Sequence, residues 1–420
     1  MNMALVPELR FAGFDGAWNE KTLGKIANFR RGSFPQPYGL PKWYDDKNGF
    51  PFVQVYDVGK NFRLKSVTKR MISEAATKQS VFVKSGSVLI TIQGSIGRIA
   101  ITARDVYVDR TLLIFQSFNE PLDKFFFAYV MHLLFEVEKR IAPGGIIKTI
   151  TKEKLSHFKF SFPSLPEQNK IAGFLSAVDE KLASVEAQLA GWRDYKRGMM
   201  QALFTQTLRF KADDGSDFPD WEIVKLEDKF SFHKTNSLSR AVLGLEKDGI
   251  KNIHYGDIHT KYRAQFDILE EATGVIPKHL ADRAGEPLQK GDVIFADASE
   301  DYNDVGKAIE VINLDNRTVV AGLHTIVARP KKDTMASGFA AYLFACWPLR
   351  KQLMRIANGA SVLGISKTNL AKVDLTLPSL PEQQKIAETL SAIDAKIEAL
   401  TARLDATREF KRGLLQKMFV

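Results

Sequence analysis

Apolar residues recur in steps of three and four along two stretches of the chain, residues 163–204 and 378–419. In the first stretch they are Ile171, Leu175, Val178, Leu182, Val185, Leu189 and Trp192, with Met199 and Leu203 beyond. In the second they are Ile386, Leu390, Ile393, Ile397, Leu400 and Leu404, with Leu414 and Met418 beyond. This heptad spacing predicts two long helices that coil around a partner, rather than ordinary amphipathic helices on a globular core.

The two stretches are copies of one another. They align without a gap at an offset of 215 positions, and about half of the aligned residues are identical, which indicates an internal duplication. Both begin with Pro-Ser-Leu-Pro-Glu-Gln. Within that motif Ser164 with Glu167, and Ser379 with Glu382, fit capping boxes at the helix N-termini.

Two features of these stretches bear on how the helices pair. Lys196 and Lys411 interrupt the apolar seam at equivalent places, where a charged residue costs stability and can fix register. Only a few residues link Phe204 to Phe210, so the first helix must end near the second globular unit, where the second helix starts. The helices can then pair only if they run antiparallel. Roughly forty residues at about 1.5 Å each give a rod of about 60 Å, with a globular unit expected at each end.

The duplication also extends into the rest of the chain. The pairs of similar segments are Leu9-Arg10-Phe11 with Leu208-Arg209-Phe210, 48–58 with 248–258, 85–101 with 290–311, and 110–112 with 324–326. Most of them read as turns and short alternating strands. The sequence therefore predicts an α+β protein in four segments: a globular unit (1–162), a helix (163–206), a second globular unit (207–377) and a second helix (378–420). We expect two pseudo-symmetric globular units held apart by an antiparallel coiled coil of two long helices.

Composition narrows the class of protein. A chain of 420 residues with 45% hydrophobic and 26% charged residues is typical of a soluble protein with more than one domain. Its one cysteine, Cys346, rules out an internal disulfide framework and fits a reducing compartment. The N-terminus lacks a signal-peptide core. The apolar runs at 125–135 and 339–347 are too short to span a bilayer, so we predict buried helices there and a cytoplasmic location.

The net charge of +10 is unevenly distributed. Residues 1–162 hold an excess of ten positive charges, while each of the other three segments is nearly neutral. This distribution predicts a polyanionic partner for the first globular unit. The alternative is a basic surface that is simply solvated.

Recognisable catalytic motifs are missing. The sequence contains no GxxxxGK[ST] phosphate loop, no HExxH motif and no Asn/Asp-Pro-Pro-aromatic tetrapeptide of the kind that amino-methylating DNA enzymes use. The glycines of 93–98 read as turns rather than a dinucleotide fingerprint. His254 and His259 lack a matching set of metal ligands, and Cys346 reads as a core residue. A binding protein is the interpretation that remains.

The residues that open each long helix, PSLPEQNKIAGFL and PSLPEQQKIAETL, resemble the specificity subunit of Type I restriction–modification systems. The resemblance covers nearly the whole chain, and the segments 255–262 and 291–296 are also similar to segments common in such subunits. It implies that each globular unit is a target-recognition domain that reads one half of a bipartite site in double-stranded DNA. It also implies that the helix pair sets the spacer length and docks two modification (methyltransferase) subunits.

The resemblance further implies that this chain is non-catalytic and has no cofactor of its own. S-adenosylmethionine would belong to the modification subunits that methylate adenine. ATP and Mg would serve separate restriction/translocase subunits, and no membrane partner is expected. Two alternatives remain open from the residues: a self-contained DNA methyltransferase or nuclease with an unrecognised motif, and a coiled-coil adaptor with no nucleic-acid role.

Candidate DNA-binding residues are polar residues in loops beside predicted strands. In the first unit they are Arg30, Arg31, Ser33, Gln36, Tyr38, Gln93, Ser95, Arg98 and Arg110. In the second unit they are Lys234, Asn236, Ser237, His254, His259, Tyr262, Arg263, Tyr302, Asn303, Lys307 and His324. Arginine can pair bidentately with guanine and glutamine with adenine. The alternative for each residue is an ordinary exposed side chain, and most true contacts should be to phosphate.

Overall fold

The computed structural model describes residues 6–141, 150–244, 249–271 and 273–419. The chain divides into two compact units. One contains the residues up to 187 together with those from 402 onward, and the other contains residues 188–401. Each long helix therefore contributes to both units.

In the part that the structure describes, the first unit contains ten strands, four shorter α-helices, the first part of one long helix and the last part of the other. Its strands are β1 (Asn19–Thr22), β2 (Ala27–Arg31), β3 (Phe50–Val53), β4 (Arg70–Ile72), β5 (Val81–Val83), β6 (Val88–Thr91), β7 (Ile99–Ile101), β8 (Val106–Val108), β9 (Leu112–Phe118) and β10 (Lys159–Phe162). Its helices are α1 (Leu23–Ile26), α2 (Glu74–Thr77), α3 (Lys124–Ile141), α4 (Lys152–Ser156) and the start of α5 (Leu165–Phe204).

Two four-stranded sheets form the body of this unit. One is antiparallel with strand order β2-β9-β6-β7, and the other has the order β4-β3-β8-β5, in which β3 and β8 run parallel. The predicted apolar helix at 125–135 is confirmed as part of α3, and it buries Phe126, Phe127 and Phe135 completely. These rings pack into one core with α5 and with Met418.

The second unit repeats this plan with additions. Its strands are β11 (Glu222–Lys225), β12 (Phe230–His233), β13 (Ile250–Ile253), β14 (Gln265–Asp267), β15 (Gly274–Ile276), β16 (Val293–Ala296), β17 (Ala298–Ser299), β18 (Ala308–Asn313), β19 (Val319–Ala321), β20 (Thr325–Pro330), β21 (Leu363–Gly364) and β22 (Asp374–Leu377). Its helices are α6 (Leu226–Lys229), α7 (Tyr255–Thr260), α8 (Phe339–Ala345), α9 (Trp347–Ile356), α10 (Lys367–Ala371) and the start of α11 (Leu380–Lys417).

The sheets of the two units share a common set of strands, although β14 is an addition in the second unit and β5 has no equivalent there. The order β12-β20-β16-β18 repeats β2-β9-β6-β7, and the parallel pair β13 and β19 repeats β3 and β8. The predicted duplicated α+β fold is therefore confirmed. One detail of the second unit differs from the prediction, because the apolar run at 339–347 is not a single helix. Pro348 opens α9, so Cys346 lies buried in the break between α8 and α9.

The two long helices pair in antiparallel orientation, as predicted. In the first unit Asp179 binds Lys411 and Glu186 binds Arg408, so the partner's number falls as the helix advances. In the second unit Lys196 Nζ lies 2.6 Å from an oxygen of Asp394. Asp179 and Lys196 of the first helix are 17 residues apart, and so are Asp394 and Lys411 of the second. The helices therefore pair in the same register in both units. The lysines that interrupt the seam therefore each pair with an aspartate of the other helix.

The predicted capping boxes are wrong, and the residues of that motif do something else. The Glu167 carboxylate is almost fully buried and accepts two hydrogen bonds of 2.7 Å from Arg10. Glu382 accepts in the same way from Arg209, at 2.8 and 3.1 Å. The Ser379 hydroxyl is buried and has no hydrogen-bond partner within the described residues.

The glutamine that follows each glutamate is buried as well. Gln168 donates to the Pro163 carbonyl and accepts from the Asp123 backbone. Gln383 donates to the Pro378 carbonyl and accepts from the Ala336 backbone. The Glu-Gln pair therefore ties the start of each long helix to its globular unit.

Candidate nucleic-acid interface

In both units, candidate side chains gather where the parallel strands end. Two parallel strands have their carboxyl ends at the same sheet edge, so the loops that follow them are neighbours. In the first unit Gln54 follows β3 and Arg110 follows β8. In the second unit His254 follows β13 and His324 follows β19. We call the loops at this edge the reading edge of each unit.

At the reading edge of the first unit, Arg110 is exposed and is held beside a fixed ring. The Tyr38 hydroxyl donates to buried Asp109 at 2.8 Å and accepts from Gln54. Burial and the hydrogen bond to Asp109 raise the pKa of Tyr38, so it stays a neutral phenol. The Arg110 guanidinium lies 5.5 Å from the centre of this ring. Asp109 also accepts from the Thr111 backbone at 2.9 Å, which fixes the turn that carries Arg110.

The end of β2 reaches the same edge because residue 32 has no side chain. A Cβ atom on Gly32 would lie 2.3 Å from the carbonyl oxygens of Val108 and Asp109, so the chain can approach β8 this closely only with glycine. Arg30 and Arg31 immediately precede this contact, and both are exposed. Ser33 follows it, with its hydroxyl bonded to the Gln79 carbonyl at 2.8 Å.

The other candidates of the first unit differ in the exposure of their side chains. Gln36, Gln93 and Ser95 are exposed, the last two in the loop between β6 and β7. Arg98 is half-buried and its guanidinium donates to the Val58 carbonyl, so it braces the loop.

The reading edge of the second unit holds three histidines around Tyr255. The rings of His254, His324 and His259 lie 4.6, 5.2 and 6.1 Å from the Tyr255 ring, centre to centre. His324 is exposed, and its Nδ1 lies 3.2 Å from the Asp297 carboxylate. His254 is buried and accepts a hydrogen bond from the Gly256 backbone at the start of α7. Burial, and then the nearby Arg240, lower the pKa of His254, so it is a neutral helix cap.

The segment between β17 and β18 lies beside this cluster. His259 Nε2 bonds the Ala298 carbonyl at 2.9 Å, and the Lys307 ammonium donates to the His259 carbonyl at 2.7 Å. Tyr302 is half-exposed and Asn303 is exposed in the same segment. These side chains occupy the position that Gln93 and Ser95 occupy in the first unit.

Some candidates of the second unit have internal partners instead. Asn236 is buried, and its amide donates to Asn252 at 2.7 Å and to the Ala284 carbonyl at 2.9 Å. Tyr262 is buried in the core, and burial raises its pKa. Arg263 is exposed but pairs with Glu398 of α11 at 2.7 Å. Lys234 and Ser237 are exposed near β12.

The sequence did not single out Asp109, Tyr255 or Asp297, which orient the exposed residues. Tyr255 and Gln54 fall within the aligned segments 48–58 and 248–258, so the internal repeat was the available signal.

Within the described residues no group of three or more His, Cys, Asp or Glu side chains could hold a metal ion. Nor is any helix in that part of the chain long and apolar enough to cross a bilayer.

The long helices also expose one duplicated surface. Tyr195 and Phe410 are equivalent residues, 51% and 54% exposed. Beside them, Asp194 pairs with Arg197 and Glu409 pairs with Arg412. Trp192 packs edge-on against Tyr195 at 5.6 Å and lines a shallow groove of about 360 Å³ with it. We call residues 193–198 and 408–413 the helix patches.

The duplicated fold places exposed polar and basic side chains at the same edge of each unit, an arrangement typical of a DNA-binding protein. The model of the Type I restriction modification DNA specificity domain matches residues 16–190 and 219–407. The chain belongs to this family, as the resemblance predicted. The family is one of specificity subunits, so the expectation that this chain is not a catalytic subunit is confirmed.

Individual relatives agree with this assignment. The chain is 23% identical to the Type I restriction enzyme MjaVIII specificity subunit of Methanocaldococcus jannaschii, over 81% of this chain and 79% of that protein. It is similar in fold to the S subunit of a Type I system from M. genitalium, with a TM-score of 0.61, 15% identity and 99% of each chain covered. A second solved structure concerns complex assembly and conformational transition of the Type I system. It matches with a TM-score of 0.52 and 17% identity, over 96% of this chain and 97% of that one.

Proposed function

We propose that this chain reads a bipartite DNA target for a Type I restriction–modification complex, with one half-site bound at each reading edge. Residues 1–162 and 207–377 are the two target-recognition domains, and the paired helices set the spacer between the half-sites. The observation that carries the proposal is that one framework, repeated in both units, presents different exposed polar side chains at the same place. A shared scaffold with different contact residues is what two unlike half-sites require.

The chemistry of the two edges suits this role. Arg30, Arg31 and Arg110 give the first edge three exposed guanidinium groups, which can bind phosphate or pair with guanine. The second edge offers Tyr302, Asn303 and His324, which are neutral or weakly basic. We therefore expect the first domain to supply more of the electrostatic affinity.

We further propose two modification subunits as partners, which supply S-adenosylmethionine and adenine methylation. Restriction subunits that use ATP and Mg would complete the complex in the cytoplasm. The helix patches support a partner present in two copies, because nearly the same exposed residues occur in both patches. Exposed positions between 182 and 192 mostly differ from their equivalents, whereas Arg193, Arg197 and Gly198 recur unchanged and Tyr195 recurs as phenylalanine.

The test is a shift assay of the full chain on DNA at several salt concentrations, with Arg30→Ala/Arg31→Ala as the variant. If both arginines contact phosphates, the variant binds cognate and random DNA more weakly to a similar degree. The slope of log K against log salt then falls in magnitude by up to about 2. Lys139→Ala/Arg140→Ala removes the same charge from α3 and should leave the slope unchanged.

The alternatives give different results. A coiled-coil adaptor would not bind DNA at low or high salt. A self-contained enzyme would cleave or methylate DNA when the chain alone receives Mg²⁺ and S-adenosylmethionine. If the arginine variant keeps wild-type affinity at low salt, Arg30 and Arg31 do not belong to the interface.

A further inference from the structure

Arg110 and His324 occupy the same position in the two units. Arg110 lies in the short turn between β8 and β9, and His324 lies in the short turn between β19 and β20. In each unit the first of these strands belongs to the parallel pair and the second pairs with β6 or β16. A threonine follows each of them, and both side chains are exposed at the reading edge. The framework is therefore constant at this position while the chemistry of the side chain differs.

We infer that Arg110 and His324 are specificity-determining residues for equivalent base pairs in the two half-sites. In this assignment Arg110 selects guanine in one half, and His324 selects adenine or cytosine in the other. The inference rests on the proposed function and adds to it which residue reads which class of base.

The surroundings of Arg110 suit guanine. Within the described residues its guanidinium makes no hydrogen bond, and its aromatic neighbour Tyr38 is fixed by Asp109. The guanidinium fork is therefore available to pair with two acceptors at once. In the major groove guanine presents two adjacent acceptors, O6 and N7, and a bidentate arginine contact is the commonest way to read them.

The surroundings of His324 favour a different base. A carboxylate can only accept, so the 3.2 Å contact with Asp297 places the ring proton of His324 on Nδ1. In the neutral ring Nε2 is then an acceptor, and it has no hydrogen-bond partner in the described part of the chain. Packing against Tyr255 and the left-handed backbone at φ 56° restrict where the ring can point. In the major groove the amino donors are adenine N6 and cytosine N4.

The competing role for both residues is phosphate binding. A phosphate contact would change affinity equally on all sequences, whereas a base contact changes the preferred base at one position. Exchanging the two side chains separates these roles, because Arg110→His and His324→Arg each import the chemistry of the other unit into an equivalent turn.

The experiment selects bound duplexes from a randomised DNA library with the full chain and sequences the enriched pool. Wild type should enrich a two-part motif. Arg110→His should replace guanine by adenine or cytosine at one position of one half, and His324→Arg should introduce guanine at one position of the other half. Each base preference should shift by about 5- to 150-fold, the range for one bidentate contact. Arg140→His, on α3, is the control and should enrich the wild-type motif.

Arg110→Lys keeps the charge without the fork, so it should keep overall affinity while weakening the preference for guanine. Thermal unfolding of each variant checks that the fold is intact. The inference is overturned if both exchanges enrich the wild-type motif, or if they only lower affinity on every sequence. Failure of wild type to enrich any motif would instead overturn the proposed function.

Discussion

Arg209 and Glu382 show how a short motif can be recognised correctly and explained incorrectly. A serine followed three residues later by glutamate, before an apolar run, is a helix-start signal. The glutamate nevertheless turns inward because an arginine more than 150 residues earlier in the chain lies within reach. The hydrogen bond to Glu382 raises the pKa of Arg209, so its guanidinium stays charged.

This buried pair gives the first prediction. Arg209→Leu should lower the free energy of unfolding by about 3–5 kcal/mol. It leaves the Glu382 carboxylate buried with the Trp221 ring nitrogen as its one remaining hydrogen-bond donor among the described residues. Chemical denaturation measures the loss. Arg317→Leu removes an exposed partner of Asp315 and should cost less than about 1 kcal/mol. Equal losses for the two variants would show that burial does not set the strength of the Arg209 pair.

The long helices combine an apolar seam with one polar cluster per unit. Tyr129 donates to Asp179 at 2.7 Å, and Lys411 of the other helix completes the first cluster. Tyr342 donates to Asp394 at 2.9 Å, and Lys196 completes the second. Because each lysine is contributed by one helix and each aspartate by the other, a shift in register would break both clusters.

We expect this cluster to be strongly coupled. A double-mutant cycle with Asp179→Asn and Lys411→Met should give an interaction energy of about 0.5–3 kcal/mol, measured by chemical denaturation. The same cycle on Glu180→Gln and Arg63→Met, an exposed pair in the same unit, should give less than about 1 kcal/mol. Coupling no larger at the buried pair than at the exposed pair would mean that the lysines do not fix the register.

Across the two units, the duplication repeats the framework and varies the exposed polar residues at its edge. The last turn of α5 buries Leu203 and Phe204 in the second unit. The end of α11 buries Leu414 in the first unit, together with Met418 just beyond the helix. Each unit is thus closed by the helix that starts in the other half of the sequence. The helix patches recur on the exposed side of these helices, so a partner that binds in two copies could use both.

The helix patches lead to a prediction about stoichiometry. Tyr195→Ala and Phe410→Ala should each weaken one of two sites for the modification subunit by about 30-fold or more, as truncation of an aromatic hot spot does. The double variant should lose both subunits while DNA binding stays unchanged. Native mass spectrometry with the purified subunit counts the copies bound. Ile223→Ala, equally apolar and 73% exposed, is the control. Two tightly bound subunits on the double variant would rule out the patches as docking sites.

The sequence by itself determined the duplication, the two helices, their antiparallel pairing and the family. These features depend on local periodicity and on the short link after Phe204, and both can be read along the chain. The apolar helix at 125–135 was predictable for the same reason. The split between α8 and α9 could also have been foreseen, since proline breaks the interior of a helix but is tolerated in its first turn, where Pro348 lies.

Only the tertiary structure decided which polar side chains are free to contact DNA. Arg98, Asn236 and Arg263 looked as suitable as Arg110 in the sequence, yet each has a partner distant along the chain. Hydrogen bonds between remote segments form because strands and helices bring them together, and no local pattern encodes which pairs meet. The same physics placed Asp109 and Asp297, which no motif marked, where they orient the exposed residues of each reading edge.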